Sequence, residues 1–441
     1  MSRLVFPAPL LSKLREELLC EPLESCAVIF GSACTLSGRL TRIVGREVEI
    51  APPDAYIRRT ATSAELSPDF VAHIAQRARR SGESVVFVHT HPFELDDFSG
   101  IDDLGEDRLA EFLARRTPGV HHGALLLTPN VSRARVLGRR EDLRVAEIGE
   151  QLALMVPGET AAEPAFDRQI RAFGLVGQKK MASLRVAIVG LGGTGSIVAQ
   201  ELAHLGVQRF LLVDPDRLEA PNLNRVVGSR NVDVGRPKVD VARDLIHAIN
   251  PDAAVEALAA SILGTATAQQ LSDVDFLFSC TDSHGSRSVL NQVSYQYLVP
   301  GIDVGVAIVV RDGRVTHIAG RARMLCPGLG CLVCENILDA EEVRRDFMSE
   351  DERKRDQYIV GGAEPQPAVI SLNGTVSSLA VTMFVAAVAG IPAGARFVNY
   401  NAVLGTVRSV HIEPTPKCVI CSPSGAFARG ASWNLSTRDD W

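Results

Sequence analysis

Two histidines one residue apart, followed by a serine and an aspartate, form the most chemically specific motif of the chain. His89 and His91 belong to the run HTHP, and Ser99 and Asp102 follow after a short loop. Two imidazoles and a carboxylate bind Zn²⁺ from three sides and leave the fourth position for water, as in catalytic zinc sites. Because residues 85–88 are an apolar run typical of a strand, we expect both histidines where a strand opens onto a loop.

This motif resembles the signature of the JAB/MPN (JAMM) metalloproteases. That signature is H-x-H-P followed after six residues by S-x-x-D, and the chain matches it at every position. The resemblance implies Zn²⁺ held by His89, His91 and Asp102. It also implies that Ser99 helps to stabilise the oxyanion.

Members of this family use a glutamate on an early strand as the general base. Glu24 fits that role because it directly precedes the strand-like run 26–31. Glu17 and Glu21 are alternatives in a more helix-like segment. A single glutamate beside a strand is more often simply a solvated side chain, so the role of Glu24 rests on the resemblance.

Four of the nine cysteines form two C-x-x-C pairs, Cys331/Cys334 and Cys418/Cys421. Four thiolates fill a tetrahedral shell, so the pairs predict a structural zinc site that links the end of the chain to the middle of its second half. A redox-active pair is the alternative. Cys326 remains unassigned. The other cysteines have apolar neighbours and are expected in the core: Cys20, Cys26, Cys34 and Cys280.

A glycine-rich turn after an apolar strand begins the second half. Residues 184–189 are typical of a buried parallel strand, and the following turn contains four glycines: Gly190, Gly192, Gly193 and Gly195. Such a turn lets phosphates approach the backbone and a helix amino terminus. Asp214, at the end of the next strand, is placed to hold a ribose hydroxyl. These features alone also fit an NAD-dependent oxidoreductase.

Charged residues further along the chain favour triphosphate chemistry over hydride transfer. Arg225 and Lys238 supply cations for a triphosphate, and Asp282, which follows another strand, supplies an anchor for Mg²⁺. These groups stabilise charge on a displaced pyrophosphate, which hydride transfer does not require.

The order of these motifs resembles the ThiF/MoeB/HesA family, the ancestral form of ubiquitin-activating enzymes, over residues 166–390. The resemblance implies ATP and Mg²⁺ as cofactors, zinc held by the paired cysteines, and a homodimer in which Arg168 reaches the partner's nucleotide. The implied roles are ribose binding by Asp214, phosphate contacts by Asn222, Arg225 and Lys238, and Mg²⁺ coordination by Asp282. Arg168 could instead be an exposed helix arginine, and Asn222 a turn residue.

One feature departs from many members of this family. They carry a thioester-forming cysteine between the first C-x-x-C pair and the last long helix, whereas residues 335–376 contain no cysteine. We therefore expect the reaction to stop at the acyl-adenylate, which a sulfur donor, a separate conjugating enzyme or a target amine would then accept. Cys326 is the alternative thioester site, although it precedes the zinc-binding pair.

The pattern of elements predicts an α/β protein with two domains. We expect an amino-terminal JAB/MPN α+β domain over residues 1–150, a linker over 151–165, and a Rossmann-like ThiF-type domain with a structural four-cysteine zinc site over 166–441. Strands that alternate with helices predict a doubly wound sheet with ligands at the carboxyl ends of its strands. Further expectations concern three segments: a hairpin at 304–310 and 315–319, a charged mobile segment at 341–358, and a buried helix at 379–391.

Composition excludes several classes of partner. The 441 residues carry a net charge of −6, with a pI near 6.0, so the chain has no basic footprint for nucleic acid or an anionic membrane. The apolar run 379–391 is too short to span a bilayer, and the amino terminus lacks the apolar core of a signal peptide. We expect a cytoplasmic protein.

Together these motifs suggest a bifunctional enzyme of a ubiquitin-like or sulfur-carrier protein system. The first domain would trim or remove a small β-grasp protein, and the second would adenylate its carboxy-terminal glycine with ATP and Mg²⁺. One alternative is sulfur-carrier activation for cofactor or secondary-metabolite biosynthesis. Another is a non-catalytic module that binds a ubiquitin-like fold.

Overall fold

The computed structural model describes residues 1–93, 95–154, 164–355 and 367–439. The chain divides into two compact units. Unit 1 comprises residues 1–155, 296–298 and 426–434, and unit 2 comprises 156–295, 299–425 and 435–441. The predicted linker, 151–165, lies largely outside the described residues.

Unit 1 is an α+β domain. Its strands are Arg3–Pro7 (β1), Cys26–Leu36 (β2), Arg39–Ile50 (β3), Tyr56–Arg59 (β4), Ala64–Leu66 (β5), Ser84–Thr90 (β6), Gly123–Leu127 (β7), Ser132–Val136 (β8), Asp142–Ile148 (β9) and Leu152–Leu154 (β10). Its helices are Leu10–Leu18 (α1), Pro68–Ser81 (α2) and Gly100–Arg116 (α3). The main sheet has the order β1-β3-β2-β6-β7-β8-β9-β10, and β1 also pairs with β9, which closes the strand ladder on itself.

The strands of this sheet bury both faces because they alternate between two apolar clusters. Ile29 and Val86 belong to the cluster on the side of α1, whereas Phe30 and Val85 pack with Ile74 of α2 on the other side. Successive strand residues point to opposite faces. Strand β6 is therefore buried on both faces just before its histidines. This burial limits how far the two histidines can move.

Unit 2 is built around a second sheet. Its strands are Arg185–Val189 (β11), Arg209–Val213 (β12), Ala254–Leu258 (β13), Phe276–Ser279 (β14), Gly301–Arg311 (β15), Arg314–Leu325 (β16), Phe397–Asn401 (β17) and Thr406–Ser409 (β18). Its helices are Asp167–Ser183 (α4), Gly193–His204 (α5), Lys238–Ile249 (α6), Thr265–Gln270 (α7), His284–Gln296 (α8), Ala340–Asp346 (α9), Glu350–Arg355 (α10) and Ile370–Ala389 (α11).

The sheet order confirms the predicted doubly wound architecture. Strands β13-β12-β11-β14-β15 are parallel, and β16, β17 and β18 extend the sheet in antiparallel fashion. The strand order reverses between β11 and β14. Ligands of such sheets bind outside the carboxyl ends of the strands at this switch point, so the glycine turn after β11 and Asp282 after β14 meet at the expected place.

Three predicted segments can be compared with the structure. The hairpin is confirmed as β15 and β16, which are longer than expected. The buried helix is confirmed as α11, which begins earlier, at Ile370. By length and composition this helix could cross a membrane, yet 61% of its most apolar window is buried, as in core helices. The described part of the segment expected to be mobile contains α9 and α10, and Asp346 there accepts hydrogen bonds from Ser283 and Gly285; its mobility stays a prediction.

Candidate functional site

The pairing of β2 with β6 brings the predicted general base to the histidines. Cys26 lies opposite His89 in this antiparallel pair, so Glu24, two residues earlier, lies opposite His91, two residues later. The Glu24 Oε1 atom is 3.8 Å from His91 Nε2, and the residue is only 6% exposed. The alternatives lie elsewhere, because Glu17 is exposed on α1 and Glu21 pairs with Arg59.

Asp102 is positioned by the start of α3. Ser99 is the N-cap residue, whose Oγ accepts a hydrogen bond from the Asp102 amide (3.2 Å) while the Asp102 Oδ2 accepts one from the Ser99 amide (2.6 Å). This reciprocal capping box fixes the carboxylate at the helix start. It lies 3.3 Å from His89 Nε2 and 3.4 Å from His91 Nε2.

These three side chains fit a zinc ion. Their candidate ligand atoms all lie within 4.8 Å of one another. His91 Nδ1 is 3.0 Å from the Leu95 carbonyl oxygen, so it carries the proton and leaves Nε2 as a metal ligand. The His89 Nε2 atom is buried and has no hydrogen-bond partner among the described residues, which suits a nitrogen aimed at a cation.

Burial and charge divide the roles of the two carboxylates. Burial tends to raise the pKa of Asp102, but the adjacent His89 and His91 imidazoles and the hydrogen bond from the Ser99 amide outweigh it and hold that pKa well below its usual range. Burial raises the pKa of Glu24, and the nearby His91 and His89 offset this only in part. Asp102 is therefore suited to metal coordination, and Glu24 to accepting a proton.

A supporting arginine was not predicted from the sequence. Arg135 of β8 pairs with Glu106 (3.0 Å) and Asp103 (2.7 Å) on α3, and its guanidinium lies 3.8 Å from the centre of the Phe98 ring. Phe98 in turn packs against His89, with the ring centres 5.7 Å apart. These contacts join residues that are distant in sequence, so no local pattern could have indicated them.

The two cysteine pairs converge as predicted. The Sγ atoms of Cys331 and Cys418 are 3.5 Å apart, those of Cys334 and Cys421 are 3.4 Å apart, and those of Cys331 and Cys334 are 3.8 Å apart. Four sulfurs about 2.3 Å from a tetrahedral zinc lie about 3.8 Å from one another, so this geometry fits the ion. The hydrogen bond with the Cys421 thiol lowers the pKa of Cys331, which favours the thiolate that binds metal.

The expectation of core positions for the other cysteines is confirmed for three of them. Cys26, Cys34 and Cys280 are buried, as is Cys326. Cys20 was wrongly placed in the core: it is exposed, because it follows α1 in a turn whose neighbours Glu21 and Pro22 are also exposed.

A cleft of about 730 Å³ opens at the carboxyl ends of the parallel strands in unit 2. Seven of the predicted nucleotide-site residues line it: Gly190, Gly192, Gly193, Asp214, Arg225, Lys238 and Asp282. Gly190 has a φ of +88°, and a Cβ there would lie 2.6 Å from the Cys280 carbonyl oxygen. The tight turn therefore requires glycine at this position.

Asp214 forms hydrogen bonds to two loops at the base of the cleft. Its Oδ2 accepts a hydrogen bond from the Leu191 amide (2.6 Å) and its Oδ1 from the Asp216 amide (2.8 Å). Burial raises the pKa of Asp214. Lys238 lies nearby, with its Nζ 2.7 Å from Asp216 Oδ2. The carboxylate thus ties the glycine turn to the loop that follows β12.

Three predicted residues are not among the described residues that line the cleft. Gly195 packs against the turn so closely that a Cβ would clash with the Gly190 carbonyl oxygen. Asn222 is buried, and its Oδ1 accepts a hydrogen bond from the Glu219 amide (3.2 Å), as in a turn. Arg168 is exposed at the start of α4, away from the described residues that line the cleft.

The cleft also contains residues that the sequence analysis did not identify. Arg287 of α8, Arg353 of α10 and Asn373 of α11 line it together with Gly305 of β15. An isolated glycine inside an apolar strand indicates a close approach by another group, so Gly305 is the one signal that could have located this side of the cleft.

Comparisons with known proteins agree with this organisation. A model of the ThiF family matches residues 166–420, and a model of prokaryotic homologs of the JAB domain matches residues 7–136. The chain is 30% identical to the molybdopterin-synthase adenylyltransferase of Escherichia coli K12 over 263 residues, which are 58% of this chain and 95% of that protein. It is 28% identical to the SAMP-activating enzyme E1 of Haloferax volcanii over 258 residues, 57% of this chain and 85% of that one.

A similar solved structure is that of E. coli MccB with ATP, with a TM-score of 0.48 and 20% identity over 60% of this chain and 76% of that chain. The two resemblances inferred from the motifs are confirmed by the family matches.

Proposed function

Because the chain belongs to the ThiF family and carries a JAB-type domain ahead of that region, we propose that it is an ATP-dependent adenylyltransferase acting on a small ubiquitin-like or sulfur-carrier protein. The observation that carries this proposal is the cleft that joins a glycine turn, Asp214, Lys238 and Asp282. The relatives named for molybdopterin synthase and SAMP activation support a protein substrate of this class.

The proposed reaction joins the carboxylate of the protein tail to AMP. A carboxylate oxygen attacks the α-phosphorus of ATP, and the bond from that phosphorus to the bridging oxygen breaks, so that pyrophosphate leaves with the electron pair. Asp214 holds the ribose, while Arg225 and Lys238 neutralise the phosphates. Asp282 would hold Mg²⁺, which when bound would supply positive charge near the departing pyrophosphate.

Exchange of labelled pyrophosphate into ATP tests this step with a candidate β-grasp partner that ends in glycine. We expect partner-dependent exchange in the wild type and none in Asp282→Ala. Asp252→Ala is the matched control, since Asp252 is an exposed aspartate in the same unit. Exchange that survives in Asp282→Ala would remove the role of that residue.

We also propose that unit 1 is a zinc peptidase or isopeptidase that trims or removes the same protein. His89, His91 and Asp102 would hold a zinc ion, which activates water and polarises a carbonyl. Glu24 accepts the proton of the attacking water and donates it to the leaving amine. The Ser99 hydroxyl accepts a bond in the capping box and keeps its own hydrogen for donation to the oxyanion.

A pair of glutamate variants tests the proposed general base. Glu24→Gln should retain zinc and lose cleavage of a β-grasp precursor or conjugate, whereas Glu21→Gln should behave like the wild type. Cleavage that is unchanged in Glu24→Gln would show that another group takes the proton.

The four paired cysteines are proposed to hold a second, structural zinc. The intact chain should then bind two equivalents of zinc. Cys421→Ser should bind one, and so should His91→Ala. If Cys421→Ser retained two equivalents, the cysteine site would be refuted, and a redox pair would become the better interpretation.

Arg168 is proposed to act on the nucleotide of a partner subunit in a homodimer. Mixing Arg168→Ala with Asp282→Ala should then restore about a quarter of the wild-type exchange, because half of the dimers are mixed and each has one complete site. If the mixture is inactive while each variant remains dimeric, Arg168 does not act in trans.

Sulfur-carrier activation for cofactor or secondary-metabolite biosynthesis is the second candidate function. It is favoured by the lack of a cysteine in residues 335–376 and by a relative named sulfur carrier protein ThiS adenylyltransferase. A covalent adduct between the β-grasp protein and a cellular protein would count against it. Thiocarboxylate formation on the partner in a cytoplasmic extract would support it.

A further inference from the structure

Two arginines and one aspartate form a cluster beside the cleft that the proposed adenylation does not use. Asp303 of β15 is fully buried, and its carboxylate is 3.3 Å from the Nε of Arg287 on α8 and 3.3 Å from the Nε of Arg321 on β16. Ser279 of β14 donates a hydrogen bond to Asp303 Oδ1 (3.0 Å). One carboxylate therefore faces two guanidinium groups, and the cluster carries a net positive charge.

The two arginines share Asp303 unequally. Arg321 Nε donates a hydrogen bond to Asp303 Oδ2. Arg287 Nε forms an ion pair with Oδ1 at 3.3 Å without the geometry of a hydrogen bond, and Arg321 Nη2 is likewise buried without a hydrogen-bond partner in the part of the chain that the structure describes. One carboxylate balances only one of the two guanidinium charges, and of the two arginines it is Arg287 that lines the cleft, so a positive charge faces the cleft there.

Arg287 faces the cleft beside Gly305, a position of β15 that has no side chain. It lines the cleft together with Val304, Gly305 and Val306. Gly305 lies opposite Arg321 in the pairing of β15 with β16, and a Cβ at Gly305 would be 3.4 Å from Arg287 Nη2. The missing side chain leaves room in front of the guanidinium for an extended peptide end.

The strand order places this position on the far side of the phosphates from the ribose. Asp214 follows β12, the glycine turn follows β11, Asp282 follows β14, and Arg287 faces β15. Neighbouring strands are about 4.8 Å apart, so β15 lies about 10 Å from β11. A group held at Arg287 is therefore beside the proposed Mg²⁺ ligand and outside the nucleotide itself.

We propose that Arg287 binds the terminal carboxylate of the acyl substrate before adenylation, and that Asp303 and Arg321 are positioning residues that orient it. This inference rests on the proposed adenylation and assigns its second substrate site. A guanidinium and a carboxylate form paired, charge-assisted hydrogen bonds. Because Asp303 is shared with Arg321, it balances the charge of Arg287 only in part, and the remaining positive charge is available for the substrate. Adenylation removes the negative charge of the carboxylate and so weakens this contact once the reaction is complete.

The test compares two peptides on the full chain. One is a short fluorescein-labelled peptide that ends in Gly-Gly with a free carboxylate, and the other is the same peptide with a terminal amide. Binding is measured by fluorescence anisotropy in the presence of Mg²⁺ and a non-hydrolysable ATP analogue. The wild type should bind the acid about 10- to 100-fold more tightly than the amide, as expected for a hydrogen bond between charged groups.

The variants separate direct binding from positioning. Arg287→Gln should bind the acid as weakly as the amide. Arg321→Gln should also weaken binding of the acid, although Arg321 does not line the cleft, because Asp303 then pairs fully with Arg287. Arg321→Lys should restore the preference, and Arg314→Gln, an exposed arginine on the same strand, should match the wild type.

Three results would overturn the inference. These are equal affinity of the wild type for acid and amide, binding of neither peptide, and Arg287-dependent binding of pyrophosphate that displaces the acid. The last result would assign Arg287 to the leaving group. Binding of the ATP analogue is measured in every variant as a check of folding. If the wild type fails to bind the analogue, the proposed adenylation fails too, whereas analogue binding without acid preference refutes this inference alone.

Discussion

Removing the imidazole of His89 is expected to remove most of the zinc-dependent part of the stability of unit 1. Zinc at about 100 times its dissociation constant stabilises the native state by about 2.7 kcal/mol, a factor of about 100 in the unfolding equilibrium. Changes to residues behind the ligands alone lower metal affinity about 10- to 100-fold, so loss of a ligand should cost at least about 100-fold. At the same zinc concentration, His89→Ala would then retain about 0.4 kcal/mol of this stabilisation.

Hydrogen–deuterium exchange of the β6 amides measures this effect locally. Chelation should accelerate their exchange about 100-fold in the wild type and about twofold in His89→Ala. His122→Ala is the matched control: His122 is buried beside β6 and accepts a hydrogen bond from the Val85 amide (3.1 Å). It should lose stability with and without zinc and keep the full zinc response. An equal zinc response in the wild type and His89→Ala would refute the metal site.

Three other predictions follow from the same geometry. Ser99→Ala and Ser67→Ala each remove a helix N-cap. Each should lower the free energy of unfolding in urea by about 1 kcal/mol. Only Ser99→Ala should also slow peptide cleavage, by about 10²- to 10³-fold. Gly195→Ala should lower the free energy of unfolding by at least about 1–3 kcal/mol and abolish binding of the ATP analogue, because the new Cβ would clash with the glycine turn. Gly374→Ala is the control: its Cβ would lie 3.9 Å from the nearest atom, so it should not destabilise the protein. Burial lowers the pKa of His122 to about 4; since this lies below the unfolded value near 6.5, stability should fall by roughly 3 kcal/mol from pH 6.5 to pH 4, and His122→Ala should remove that slope.

Local sequence patterns predicted the parts of the two sites that lie on single motifs. The spacing of His89, His91 and Asp102 corresponds to a strand end followed by a capped helix, so adjacent residues settle most of their geometry. The glycine turn is likewise determined by its own backbone, as the positive φ of Gly190 shows. In both cases the chemistry follows from a few neighbouring residues.

Side chains that depend on distant pairing could not be predicted in this way. Arg135 and Arg287 reach their sites through the register of strands and the packing of helices, which no short window of sequence contains. Asn222 shows the opposite problem. It lies in a motif that matches the family, yet its side-chain oxygen accepts a hydrogen bond within a turn. The charge of residues 341–358 gave no indication that Asp346 accepts a hydrogen bond from the Gly285 amide at the start of α8.

Unit 1 takes residues from three separate stretches of the chain. The Gln296 side-chain amide donates a hydrogen bond to the Gly430 carbonyl (2.8 Å), and Arg42 donates one to the Tyr297 carbonyl (2.7 Å). A recombinant fragment that stops near residue 155 would therefore lack residues 296–298 and 426–434, and its fold would be incomplete. Inactivity of such a fragment would say nothing about its zinc chemistry, so the two activities are best separated by silencing one site at a time in the intact polypeptide.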